Sequence, residues 1–367
     1  MENRVKSVFG DYATGLQILV NENEDKFKEV FYPSYFNMGT PQPGLSFATA
    51  IGRSRIEAAA SVVAHGSEAP LRGRAGLEKL SGEVSAIKVK RKMDEQEYRN
   101  WLVMQNMNVP DESRKQQIIN LIWNDVRYVA DAVRSRIDIM VKQALSQGKV
   151  TINATTNPDG IVPGDVDLLI SSDNKLGVTD LSQAYNAHNQ WKDDDDNIGT
   201  ATPISDIAHV VETYEDKGIE FEKILMTPTK WRTIAKIDEV TELLGTRPTF
   251  DEVNNYLSDR GLPIIELVKG KHQLESGGTL STYTAWQDKY VTFIPSGSLG
   301  LIHNAVAIEE ITPVAGVDYA MSNRTLISKW SQTEPFGEFT RGEIAAFPGL
   351  EAADNVVLVN TESENWA

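Results

Sequence analysis

The sequence predicts an α+β chain built from more than one lobe. Three observations carry that reading. A single very long amphipathic helix is written between Asp111 and Gln147. An alternation of short helices and short apolar strands fills the middle of the chain. Long strands joined by turns take over from about Ala305.

The helix is the clearest element. Pro110 and Asp111 supply a start, with Asp111 or Ser113 as cap and Gln116 three residues after Ser113. Apolar residues then fall at Ile118, Ile122, Val126, Val129, Val133, Ile137, Met140 and Ala144, in steps of 4, 4, 3, 4, 4, 3 and 4. That stripe has helical period, and Gly148 provides the stop. Arg114, Lys115, Asp125, Asp131 and Asp138 are expected on a polar face, so the helix should lie along a sheet.

Residues 1–56 read as an arm. Asp11 to Val20 can form a short helix, and the aromatic Phe31, Tyr32, Tyr35 and Phe36 lead into the turn-rich Gly39, Pro41, Pro43 and Gly44. Residues 57–96 read as a long hairpin. Its first side is Ala58 to Ala64, its glycine-rich middle runs from Gly66 to Gly82, and its second side is Glu83 to Met93. There Lys88, Lys90 and Lys92 alternate with Val89, Arg91 and Met93, which predicts a strand with one charged face. A lone two-stranded hairpin is marginal in water, so arm and hairpin need a partner surface.

After the helix, strands are expected at Val150 to Ala154 and Val166 to Ile170. The α/β pattern follows, with helices over Ser205 to Lys217, from Pro228, and over Thr249 to Asp259 with Thr249 as cap. Strands are expected at Lys223 to Met226, Leu262 to Val268 and Tyr290 to Ile294. The later strands are Val306 to Ile311, Leu326 to Gln332, Gly337 to Ile344 and Asn355 to Val359. The tail after Asn360 is expected to fray.

Composition removes several classes of function. The chain has 367 residues, 41% of them hydrophobic and 24% charged, which suits a folded protein with a sizeable core. Its 52 acids against 36 bases give a formal charge of −16, which disfavours whole-surface DNA binding. There are no cysteines, hence no disulfides or thiolate metal sites. No signal peptide is expected at the N-terminus, because Arg4, Lys6 and Asp11 interrupt it. No apolar run reaches the roughly 20 residues that span a bilayer, so no membrane contact is expected.

Motifs for chemistry fail one by one. Asp193 to Asp196 lack the spacing and turn glycine of a calcium loop. The histidines at 65, 188, 209, 272 and 303 make no i, i+4 metal pair. Pro295 to Gly300 imitates a nucleophile elbow, but Ser296 stands where glycine is required; a tight turn is expected. No catalytic residue, cofactor site or metal site is assigned. The one basic cluster, Lys88, Lys90, Arg91 and Lys92, leaves three readings open: phosphate contact, an acidic neighbouring subunit, or a solvated strand face.

The set of parts resembles the major capsid proteins of tailed bacteriophages with the Hong Kong 97-type fold, in particular the lambda major capsid protein E group. The resembling segments are Asp111 to Gln147 (a spine helix), Thr202 to Ile207 (TPISDI), Ile224 to Trp231 (ILMTPTKW), Lys289 to Gly300 (KYVTFIPSGSLG) and Pro335 to Pro348 (PFGEFTRGEIAAFP). The resemblance implies an N-terminal arm at 1–56 and an E-loop at 57–96 with its tip near Pro70 to Gly76. It implies a peripheral domain at 97–165 and 305–345, and an axial domain at 166–304 and 346–367. Pro70, Arg72, Arg74, Lys88, Lys90 and Lys92 become the expected inter-subunit contacts.

The function so implied is self-assembly into pentamers and hexamers of an icosahedral virion shell. Assembly would take place in the host cytoplasm, around double-stranded DNA that is enclosed without specific binding. Separate scaffolding, decoration, portal and head-completion proteins are the implied partners; the chain starts almost at the arm, so scaffold is expected on another protein. Two alternatives remain: a cargo shell of the same fold (an encapsulin), marked by an enzyme cargo, and an α/β enzyme with an extended insertion, marked by monomers and one deep pocket.

Overall fold

In a computed structural model the spine helix occupies Asp111–Gln147, the bounds read from the sequence. The structure describes residues 6–7, 10–11, 15–52, 77–105, 111–158, 164–183, 189–194, 197–334 and 336–366. At 1.5 Å per residue the helix is roughly 55 Å long. Gly148 ends it at φ +70, where its N–H still reaches Ala144 O.

Helix and sheet are fitted to each other along the stripe. Ile118, Ile122, Val126, Val129 and Val133 are buried. They face a six-stranded sheet whose central strand is Phe336–Leu350. One edge of that strand pairs antiparallel first with Thr325–Thr333 and then with Gly300–Ala305. Its other edge pairs antiparallel with Ser85–Met93. Asp318–Ser322 continues the sheet beyond Thr325–Thr333, and Phe36–Met38 adds in parallel beyond Gly300–Ala305. Gly342 marks the closest approach: a Cβ there would stand 2.9 Å from Val129 O, so only glycine lets the helix backbone settle onto the strand.

The one-sided stripe holds only for the N-terminal half. From Ile137 to Ser146 the helix is buried all round. A hairpin, Lys271–Ser276 paired with Thr279–Thr284, covers the second face. Ile139 packs there with Leu274 and Ala285, and Gln143 Nε2 donates to Tyr283 Oη at 2.7 Å. Asp138, expected in solvent, is therefore 3% exposed; Asp125, also expected there, is 9% exposed because it turns to the sheet and pairs with Arg91. The side chains of Arg114 and Lys115 lie outside the described residues.

Three segments depart from expectation. The hairpin ladder joins Ser46–Gly52 to Leu77–Glu83, and Ser85–Met93 leaves it for the central sheet. Ile87 and Val89 must bury against the helix core, so this strand is not the return partner of the apolar side expected at Ala58 to Ala64. Residues 53–76, with that first side and the expected tip, fall outside the described residues. The expected arm packs on its own subunit over residues 16–38. Leu16, Leu19, Val20 and Phe27 join Ile118, Ile122 and Trp123, and Tyr32, Tyr35 and Phe36 enter the main core. Val306 to Ile311 is not a strand: pairing is finished by Ala305, and Ile308–Ile311 makes a single helical turn whose Glu309 pairs with Arg341 at 2.6 Å.

A second, five-stranded sheet runs in the order Ile264–Leu267, Lys223–Met226, Tyr290–Ile294, Val357–Asn360, Lys175–Leu176. Helices Pro203–Glu215, Pro228–Ile234, Asp238–Leu244 and Phe250–Asp259 pack with it around Trp191, Ile207, Ile224, Phe293 and Val359. Thr249 and Glu252 form the capping box that opens the last helix. Thr292 Oγ1 donates to Leu145 O at 2.7 Å, tying this sheet to the end of the spine helix. Strands Gly300–Ala305 and Ala345–Leu350 pair in the first sheet, so the lobe boundaries expected at 304/305 and 345/346 cut through a ladder. The tail is docked rather than frayed: Glu362 pairs with buried Lys230 at 2.6 Å, and Val178 N–H donates to Ser363 O at 2.9 Å.

Candidate assembly surface

The strand Ser85–Met93 carries the charged face that alternation predicts, and register shows what each side chain meets. Lys88, Lys90 and Lys92 stand opposite Glu343, Arg341 and Phe339, on the sheet face turned away from the spine helix. Lys88 pairs with Glu343 at 3.3 Å. Lys90 and Lys92 lie 5.0 and 6.0 Å over the Phe339 ring, which stacks on Trp330. Arg91 points the other way, to Asp125 at 3.3 Å and over Tyr128. The four cations thus split between two faces, and each has a partner within its own subunit. Pro70, Arg72 and Arg74 lie outside the described residues.

Among the described residues the strand pairs only through the edge it gives to Phe336–Leu350. Its other edge opens on a groove of about 1170 Å³. The middle of the spine helix is the floor, and the hairpin Lys271–Ser276/Thr279–Thr284 is the far wall. Six cations line it, Lys28, Lys88, Arg91, Arg127, Arg136 and Lys271, against the two carboxylates Asp131 and Glu275. Tyr128 Oη donates to Glu275 Oε2 at 2.7 Å across the gap, and Leu280 projects from the wall 66% exposed. Arg127 and Lys271 carry no local sequence signal. Only the fold brings the three walls together.

Beside this floor lies a buried ionic cluster. Asp138 Oδ2 pairs with Lys142 Nζ at 2.7 Å, and Lys142 Nζ donates to His272 Nε2 at 3.1 Å. An ammonium has no acceptor, so His272 accepts at Nε2 and carries its proton on Nδ1. Asp138 Oδ1 accepts the N–H groups of Phe31 and Tyr32 at 2.9 and 3.0 Å. Burial, and then the charge of Lys142, push the His272 pKa down to about 4.

That depression links stability to pH. The neutral imidazole is favoured in the folded state, so the contribution is complete above the unfolded value near 6.5 and is lost as pH falls towards 4. The loss should approach about 3 kcal/mol. Urea titrations of unassembled subunits at pH 7.5 and 4.5 should show it, and His272→Asn should flatten that part of the curve. Burial lowers His303 in the same direction, so some slope should remain. An unchanged slope in the variant would place the titrating group elsewhere.

Among the described residues no group of three His, Cys, Asp or Glu is placed to hold a metal ion, and no helix is long and apolar enough to cross a membrane. Ile308, Ile311 and Val314, 80%, 66% and 54% exposed, form an apolar stretch around the turn whose Glu309 pairs with Arg341.

Comparison with known proteins agrees with the geometry of an assembly subunit. The family model described as phage major capsid protein E matches residues 25–358. No curated protein matches the chain. Among solved structures, the putative capsid protein of a prophage of E. coli CFT073 is 16% identical with a TM-score of 0.56, over 93% of this chain and 96% of that one. A phage-related protein from Bordetella bronchiseptica RB50 is 12% identical with a TM-score of 0.56, over 95% of this chain and 98% of that one.

Proposed function

The chain belongs to the phage major capsid protein E family, and from that premise we propose how it builds its shell. It is a structural capsid subunit with the α+β fold of Hong Kong 97-type capsids, and its place is the virion capsid. The family match over residues 25–358 carries this reading. Assembly into pentamers and hexamers fits that fold.

The finer steps are our proposal. Subunits assemble in the host cytoplasm, without catalysis, and enclose double-stranded DNA without specific binding; scaffolding, decoration, portal and head-completion proteins are their partners. Residues 53–76 at the end of the hairpin reach a neighbouring subunit. Pro70, Arg72 and Arg74 make contact there, and Lys88, Lys90 and Lys92 line the sheet face that a neighbour covers. Support comes from economy of burial. A two-stranded ladder with few tertiary contacts gains stability when another surface covers it.

Negative-stain microscopy of the purified protein tests the shell reading: uniform shells or capsomer rings are expected, and a compact monomer at high concentration would overturn it. The hairpin has its own test. Its ladder closes at the pair Gly52↔Leu77, so residues 53–76 can be replaced by an Asn-Gly turn. The variant should unfold at the same urea concentration as the parent and fail to form shells. Normal shells would remove the hairpin end from the assembly contacts.

A further inference from the structure

We propose that the basic groove beside Ser85–Met93 is the acceptor half of the contact between neighbouring subunits, and that an acidic, extended segment of a second copy of this chain lies in it as an added strand. The inference rests on the shell reading and names the surface through which it works.

Charge gives the first argument. Copies of a chain with formal charge −16 repel one another. A ring of identical subunits needs a heterologous contact, in which two different patches meet. The groove inverts the balance of the whole chain, with six cations lining it against two carboxylates. Adding the partners Asp125 and Glu343, which pair with Arg91 and Lys88 from outside the lining, still leaves cations in excess. Lys271 makes no ion pair among the described residues, and Arg127 is held only by a half-exposed pair with Asp131 at 3.4 Å, which is worth little in solvent. An acidic surface of the next copy is the complement such a patch selects.

Backbone gives the second argument, independent of charge. Among the described residues the strand bordering the groove has no partner along this edge. Unpaired edge N–H and C=O groups are a template for strand addition, and proteins that leave them bare expose an aggregation site. The groove between this edge and the hairpin wall is open along the strand from Ser85 to Arg91, with the half-buried Ala132 among the small residues that line it. Leu280, exposed on the wall, can then close over it.

The chain has no cysteine, so one introduced thiol reports on a single place. Leu280→Cys labelled with benzophenone maleimide should cross-link to a second copy in assembled shells. Peptide mapping should place the bond on a segment with more acids than bases. Amide exchange over residues 85–93 should slow at least tenfold on going from free subunits to shells. Arg127→Glu with Lys271→Glu should keep the parent's urea midpoint and lower shell yield by about tenfold, whereas Lys271→Arg should not. Shells that form with no cross-link between copies and unchanged exchange overturn the groove while leaving the capsid reading intact. A cross-link to DNA or to another protein overturns it too. Failure to form shells under any condition removes both.

Discussion

Asp138→Ala should cost the subunit about 4 kcal/mol, among the largest effects of any single side-chain truncation in the chain. Asp138 looks ordinary in sequence, one of several acids along a long helix. In the fold it is 3% exposed and serves three donors at once. Its Oδ2 holds the Lys142 ammonium, and its Oδ1 accepts two consecutive backbone N–H groups from Phe31 and Tyr32. Truncation strands a buried cation and two buried donors together, and each such group loses its compensation for leaving water. Asp138→Asn separates the two roles. Its amide oxygen can still accept from Phe31 and Tyr32, while the charge opposite Lys142 is gone. It should recover roughly half of the loss. Urea unfolding of unassembled subunits measures both variants. Equal losses for Ala and Asn would mean that the ion pair alone matters and that the N-terminal segment is held by its aromatic residues. Shell assembly should follow the same order, since residues 31–36 are pinned to the spine helix here and complete the sheet through Phe36–Met38.

Local pattern was enough for the elements whose burial is set by their own sequence. The stripe from Ile118 to Ala144 gave the spine helix its bounds, the Thr249–Glu252 pair marked a helix start, and short apolar runs bounded by turns located Lys223–Met226 and Tyr290–Ile294. Strand pairing was harder, because a strand's partner is chosen by what lies across the sheet. Leu77–Glu83 and Ser85–Met93 are nearly continuous in sequence, yet one pairs with Ser46–Gly52 and the other with Phe336–Leu350. Nothing in the alternation of Lys88, Lys90 and Lys92 records that change of partner. The second coat on the spine helix was equally hidden. Asp138 was expected on a solvated face; the Lys271–Thr284 hairpin folds over it together with Lys142 and Gln143. The candidate surface shares this character. Lys88 was legible on a charged strand face, whereas Arg127 and Lys271 join it in the groove only when helix, strand and hairpin converge.

The second large effect lies between the spine helix and the sheet. Lys329 and Glu338 form an ion pair whose side chains are both 1% exposed. They project from adjacent strands on the face the helix covers, one register step apart: Lys329 stands opposite Thr340, and Ser331 opposite Glu338. Glu338→Ala should cost about 3–5 kcal/mol, because it leaves the ammonium of Lys329 buried without its counter-charge. A buried pair is nevertheless weak evidence of net stabilisation, since desolvating two ions consumes most of their attraction. Lys329→Met combined with Glu338→Leu should therefore regain most of the loss, even though the single change is severe. Asp125 should not limit the recovery: burial pushes its carboxyl up, and of the two ions removed Lys329 draws it down while Glu338 pushes it up, so the double variant leaves it paired with Arg91. If the double variant stays as unstable as Glu338→Ala, the pair is setting the register of the two strands rather than merely neutralising itself. Amide exchange along Thr325–Thr333 and Phe336–Leu350 would then quicken together, well below the denaturant concentration that unfolds the whole subunit.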